Sequence, residues 1–146
     1  MNESFSIVEP QRLVLDTHIL IWYAEGTKLT EEHIDLIEKS RTARQLYISA
    51  ISIWEIAMLA SKGRIVINIP IKEWVERVVA NLDINLIDLS PDILIESSLL
   101  PNYEHRDPAD RMIIASVRST NSQLMTFDQK IIDYANIGYL KLANTK

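Results

Sequence analysis

Four short apolar runs constrain this chain most: Leu13 to Leu15, Leu46 to Ser49, Ile84 to Leu89 and Gln123 to Phe127, each parted from the next by segments of helical character. Strands that alternate with helices imply a parallel sheet covered on both faces. The expected class is therefore α/β, a three-layer α/β/α sandwich with a central parallel sheet.

The intervening segments carry helix signals. His18 to Glu25 (HILIWYAE) reads as a short apolar helix stopped by Gly26. Thr30 opens a helix to about Ser40, with Glu31 and Glu32 in the first turn, where the helix dipole favours acids. Ser52 to Lys62 reads as a helix ended by Gly63, a common C-terminal cap. Arg64 to Ile69 reads as extended or irregular and Ile71 to Leu82 as an amphipathic helix. Ser90-Pro91 supplies an N-cap and a first-turn proline, and Pro101 closes that helix. After the polar loop NYEHR, Asp107-Pro108 starts a helix to about Thr120. Asp128 to Tyr134 is a further short helix, and Tyr139 to Leu142 a last strand.

A chain of 146 residues fits one domain. Residues 1–12 read as an N-terminal tail and 13–146 as the single domain. Apolar residues at 47% and charged residues at 24% are those of a folded soluble protein. No run approaches a membrane span, and MNESFSIVEPQR lacks the basic and apolar parts of a secretory signal. The absence of cysteine excludes disulfides, thiolate catalysis and cysteine zinc sites, and fits a cytoplasmic location. The three glycines, Gly26, Gly63 and Gly138, stand too far apart for a P-loop, a dinucleotide fingerprint or a G-x-S-x-G elbow. A net charge of −5 argues against general coating of nucleic acid, whose phosphates call for Lys and Arg. It leaves open a nuclease that holds phosphate through a metal.

In such a sheet, function gathers where the strands end and the following helices begin. Asp16 ends the first strand. Glu55, in SIWEIA, falls in the first turn of the helix after the second strand. Asp107 and Asp110, in DPAD, start a helix at the same edge, and Asp128, in MTFD, ends the next strand. Five acids from four segments are thus expected on one rim. Each also has a structural explanation. Ser52-Ile-Trp-Glu55 is a capping-box pattern; Asp107 and Asp128 are good N-caps, and Asp110 could serve the helix dipole. Taken together, however, four or five close carboxylates repel one another unless a cation neutralises them. With only carboxylates and water on offer, and His18, His33 and His105 scattered, that cation is expected to be Mg²⁺ or Mn²⁺ rather than zinc. One or two such ions would activate water and stabilise the leaving oxygen of a phosphodiester.

LVLDTHILIWY, SAISIWEIAMLASKGRI, HRDPADRMIIASV and LMTFD, in that order and spacing, resemble the PIN domain and, within it, the bacterial VapC-type toxins of toxin–antitoxin pairs. The resemblance runs from about Leu13 to about Tyr134. It implies a metal-dependent ribonuclease whose acidic quartet is Asp16, Glu55, Asp110 and Asp128. Thr17 matches the hydroxyl residue that follows the first aspartate, and Asp107 the extra acid of the DPxD variant, with a capping role beside its supporting one. It further implies an RNA substrate, a homodimer or larger heteromeric complex, and an antitoxin protein whose apolar or amphipathic segment enters a groove by the site.

The remaining candidates carry ordinary readings. Arg106, Arg111, Lys62, Arg64 and Lys130 lie near the expected rim as phosphate contacts or as solvated charges. His105 is a general acid, a substrate contact or a solvated loop residue. Trp22, Trp54 and Trp74 read as core, while the apolar surface from Ile19 to Tyr23 exceeds what one small core is expected to bury. Two other functions stay open: a phosphatase with Asp16 as covalent nucleophile, which lacks the second aspartate expected at position 18, and a non-catalytic binding or dimerisation module whose acids are caps.

Overall fold

The computed structural model describes residues 11–143. The tail expected over residues 1–12 lies outside the described residues except for Gln11 and Arg12. Both are exposed, and Arg12 Nη1 donates to the Thr120 carbonyl at 2.8 Å.

In chain order the elements are β1 (Leu13–Leu15), α1 (Thr17–Glu25), α2 (Glu31–Thr42), β2 (Leu46–Ser49), α3 (Ala50–Ser61), α4 (Ile71–Asn81), β3 (Asn85–Ile87), α5 (Pro91–Ser98), α6 (Pro108–Ser119), β4 (Gln123–Met125) and α7 (Gln129–Asn136). The four strands form one sheet in the order β3-β2-β1-β4, with every pair parallel. Val14 stands opposite Tyr47 on one side and Leu124 on the other. The chain thus builds outward from β1 through β2 to β3, then crosses back to lay β4 on the free side of β1. That reversal opens a crevice at the carboxyl ends of β1 and β4.

Side chains alternate across the sheet. Val14 faces a core with Ile113, Ile114, Val117, Leu124 and Ile131, under α5, α6 and α7. Leu13 and Leu15 face the other, with Ile19, Leu20, Ile37, Leu46, Ile48 and Ile56, under α1 to α4. A strand buried on both faces needs a continuous apolar run, which LVL provides.

Several helix ends match their sequence signals. Gly26 adopts the left-handed conformation at φ 73° and donates to the Tyr23 carbonyl, ending α1. Thr30 caps α2, with His33 Nδ1 receiving the Thr30 backbone N–H in return. Ser90 caps α5.

Other expectations need correction. Helix α3 begins at Ala50, capped by Ser49, so Ser52 is no cap and Glu55 falls in the second turn rather than the first. Ser49 leaves β2 with extended backbone and its hydroxyl already receives the Ile51 N–H, so no loop precedes the helix. Trp54 is 55% exposed and is not core, whereas Trp22 and Trp74 are half-buried. The apolar surplus on α1 is absent: Ile19, Leu20 and Ile21 are buried and Tyr23 is half-buried. Strand pairing at β3 covers only Asn85–Ile87, and at β4 only Gln123–Met125. The last strand shrinks to one bridge, Leu142 beside Leu124. Just before it, the Tyr139 carbonyl accepts from Arg118 Nη1 and Leu140 packs into the core, which draws the chain off the ladder.

Candidate active site

The crevice at the carboxyl ends of β1 and β4 collects acids because four helices start there. Asp16 is the N-cap of α1; its backbone N–H donates to the Met125 carbonyl at 3.0 Å, which ties it to β4. Its Oδ1 accepts from the Thr17 N–H at 2.8 Å and its Oδ2 from Thr126 Oγ1 at 2.6 Å. Thr126 Oγ1 in turn accepts from the Asp128 N–H at 3.0 Å. One hydroxyl therefore sets the spacing of two acids on neighbouring strands. Asp128 caps α7 through the Lys130 N–H at 2.9 Å, and Asp107 caps α6 through the Asp110 N–H at 3.1 Å.

Glu55 reaches the site across the helix layer. Thr17 Oγ1 lies 2.5 Å from Glu55 Oε1 and 2.8 Å from Ser52 Oγ. A hydroxyl has a single proton; Thr17 gives it to the carboxylate and receives that of Ser52. The Ser52 side chain that looked like a cap is instead buried as the outer member of this chain. Arg111 fixes the loop before Asp107, with Nε donating to the Ser97 carbonyl and Nη1 to those of Tyr103 and His105. Its guanidinium is thereby spent on the fold.

The result is a cavity of about 450 Å³ whose wall includes all five acids, Asp16, Glu55, Asp107, Asp110 and Asp128. His18, Ile19, Trp22, Phe127 and Lys130 complete it. Of the other basic candidates, Arg106 is exposed in the loop, and Lys62 and Arg64 follow the far end of α3, about 10 Å along its axis from Glu55. His105 is exposed and meets the Tyr103 ring edge-on.

Charge is expensive in this cavity. Burial raises the Asp16 carboxyl above the usual range, against the opposing hydrogen bonds from Thr126 and Thr17. Burial likewise raises Glu55, with Thr17 opposing and the charges of Asp16 and Asp107 adding. Asp110 is pushed up to about 7, by burial first and then by Asp107, Asp128, Asp16 and Glu55. Carboxyl groups raised both by burial and by one another favour a cation, and an all-oxygen donor set suits a hard divalent one. Among the described residues, no three acids are already drawn into a compact ligand shell. Magnesium takes one or two carboxylates directly and reaches others through water, so the donor set fits it.

Three features escaped the sequence reading. Thr126 stands two residues before Asp128, a spacing at which a hydroxyl can accept the acid's own N–H. Trp22 and Phe127 line the cavity, and neither reads differently from a core aromatic in the sequence. Tyr103 is buried with its hydroxyl unpartnered among the described residues. Burial, followed by the charges of Asp110, Asp128 and Asp107, pushes its ionisation upward.

Comparison with known proteins agrees with this architecture. The family model described as PIN domain matches residues 13–137. Ribonuclease VapC22 of Mycobacterium tuberculosis (strain ATCC 25618 / H37Rv) is 30% identical over 120 residues, covering 82% of this chain and 88% of the relative. Among solved structures, a toxin–antitoxin complex from Klebsiella pneumoniae superposes with a TM-score of 0.63 at 23% identity, covering 90% of this chain and 96% of that one. VapBC2 from Rickettsia felis, bound to a DNA fragment from its promoter, gives 0.65 at 19% identity, covering 90% and 97%. These structural likenesses show a shared fold.

Proposed function

The chain belongs to the PIN-domain family, and on that footing we propose that it is a metal-dependent endoribonuclease, the toxin of a toxin–antitoxin pair. The observation that carries the reading is the single cavity walled by Asp16, Glu55, Asp107, Asp110 and Asp128. Asp16, Glu55, Asp110 and Asp128 are the proposed metal ligands and catalytic residues, with Thr17 and Asp107 supporting them. Mg²⁺ or Mn²⁺, when bound, would supply a water of lowered pKa and neutralise the charge of a scissile phosphate.

The chain's own part is placement and proton control. Asp16 is held at both oxygens, by Thr17 N–H and by Thr126, so its lone pairs keep one direction. Glu55 is oriented by Thr17 at one oxygen only, which leaves the other for a ligand. Asp110, whose carboxyl is pushed up to about 7 by burial and by the neighbouring acids, would serve as an oxygen ligand in its deprotonated form. The capping bonds of Asp107 and Asp128 each use one oxygen, Oδ1. With Asp16 so constrained and His18 in place of a second aspartate, the covalent-phosphatase reading loses its support.

The solved relative described as a toxin–antitoxin complex supports a cognate antitoxin protein as partner, with a homodimer or larger heteromeric complex as the proposed assembly. No helix among the described residues is long and apolar enough to cross a membrane; a cytoplasmic location is part of the proposal. The deciding experiment is cleavage of total RNA by purified, antitoxin-free protein with Mg²⁺, with Mn²⁺ and with EDTA, beside Asp16→Asn. Metal-dependent cleavage lost in the variant is expected. Cleavage that survives both EDTA and the substitution would overturn the site. A folded, metal-binding protein that cuts no RNA would favour the binding-module reading.

A further inference from the structure

Part of the cavity wall has no role in holding a metal. Phe127 is 44% exposed although its neighbours Thr126 and Asp128 are turned into the structure. Its ring stacks on Trp22 with centroids 5.6 Å apart and planes at 29°, and both rings line the cavity that holds the acids. The His33 imidazole meets Phe127 edge-on at 4.9 Å, and His33 is itself held by Thr30. Phe127 is therefore braced on two sides, so covering it costs little side-chain entropy. Positive charge stands beside these rings. Lys28 Nζ lies 5.2 Å from the centre of the Trp22 ring, and Lys130 lines the cavity itself. On a chain of net charge −5, two lysines next to the exposed Phe127, the half-buried Trp22 and five acids form a local pattern of their own.

We propose that Phe127, backed by Trp22, is a stacking platform for one unpaired base of the RNA whose phosphate enters the acidic cavity. The inference rests on the ribonuclease reading and assigns to Phe127 the contact that holds one base beside the acids. A base in a duplex has both faces covered by its neighbours, whereas an unpaired base offers a face to an aromatic ring. The ring puts the flat π-face of the base on the aromatic wall, and the lysines receive the flanking phosphates. Because every base has such a face, the platform selects for strandedness more than for base identity.

Binding of a labelled single-stranded RNA oligonucleotide, measured by fluorescence anisotropy in Mg²⁺, tests this. The full chain is used in an Asp16→Asn background to prevent cleavage. Phe127→Ala should weaken binding about 5- to 160-fold, the range of one lost stacked base, while Phe127→Tyr keeps it. Moving an abasic residue along the oligonucleotide should find one position that costs the parent protein the same factor and costs Phe127→Ala nothing further. A duplex of the same sequence should bind weakly and show no dependence on residue 127. Equal single-strand binding by Phe127→Ala with an unchanged melting curve would overturn the platform, as would additive abasic and Phe127 effects. So would a Phe127→Ala defect confined to binding a protein partner. Cleavage by the Asp16 proteins separates the two readings: metal-dependent cleavage indifferent to residue 127 sinks the platform alone. Phe127-dependent binding without any cleavage sinks the nuclease alone.

Discussion

Asp110→Asn should stabilise the metal-free protein at neutral and alkaline pH, and the gain should fade in acid. The Asp110 carboxyl is raised from 3.8 to about 7. Below about pH 4 both folded and unfolded chains carry the proton, and the group is neutral for stability. As pH rises from there, the unfolded chain ionises while the folded one keeps its proton. Stability therefore falls until the folded carboxyl also ionises at about 7, and it is level above that. The full loss is about 4 kcal/mol, from 1.36 kcal/mol for each factor of ten in proton affinity. Asp110 keeps partial contact with water, and screening reduces this by about half, to about 2 kcal/mol. Against it, Asp110 lies at the third position of α6, where its charge gains about 0.3–1 kcal/mol from the helix dipole that asparagine forfeits. The cost of burying this charge, with repulsion from the neighbouring acids added, wins by about 1 kcal/mol, which in a domain of this size raises the melting temperature by about 3 °C. Thermal melts of both proteins in EDTA across the pH range read this directly. Saturating Mg²⁺ should reverse the order, since binding to the folded parent adds about 2.7 kcal/mol at a hundredfold excess over Kd. A lower melting temperature for the variant in EDTA at about pH 8, or a difference independent of pH, would refute a charge made costly by burial and by the neighbouring acids at this carboxyl.

Glu55→Gln should abolish metal-dependent cleavage while melting in EDTA at or above the parent, because glutamine still accepts from Thr17 Oγ1; marked destabilisation would make the residue structural. Thr17→Val removes the hydroxyl between Ser52 and Glu55. It should cost about 1–3 kcal/mol in urea unfolding, with Thr17→Ser recovering most of that; an unchanged midpoint would show the bridge to be idle. Tyr103→Phe deletes a buried hydroxyl without a partner among the described residues and should stabilise by about 1 kcal/mol at unchanged m-value. A loss instead would mean that the hydroxyl is satisfied in solution.

Much of this molecule is legible along the chain because the signals are local. LVL reads as a buried strand, and Ser90-Pro91 and Asp107-Pro108 open helices through chemistry confined to a few residues. The rule that strand ends carry function then points to Asp16, Asp110 and Asp128 without coordinates, since each begins or adjoins a helix at that edge. Local signals fail where two solutions are equally good nearby. Ser49 and Ser52 could each cap α3, and the decision went to Ser49 because β2 runs straight into the helix and Ser52 is engaged by Thr17, 35 residues away in sequence. Trp54 carries the apolar signature of a core residue, and only the packing of α3 leaves it in water.

The order and parallel sense of the elements, and the acids that would crowd one rim, were thus determined by the sequence itself, because periodicity and capping act over one or two turns. The tertiary structure alone decided that Thr126 joins Asp16 to Asp128, that Thr17 orients Glu55, that Arg111 is consumed by its own loop and that Phe127 stays exposed above Trp22. Each of these depends on which groups meet once strands and helices have packed, a matter of tertiary register and burial to which no short window of sequence is sensitive.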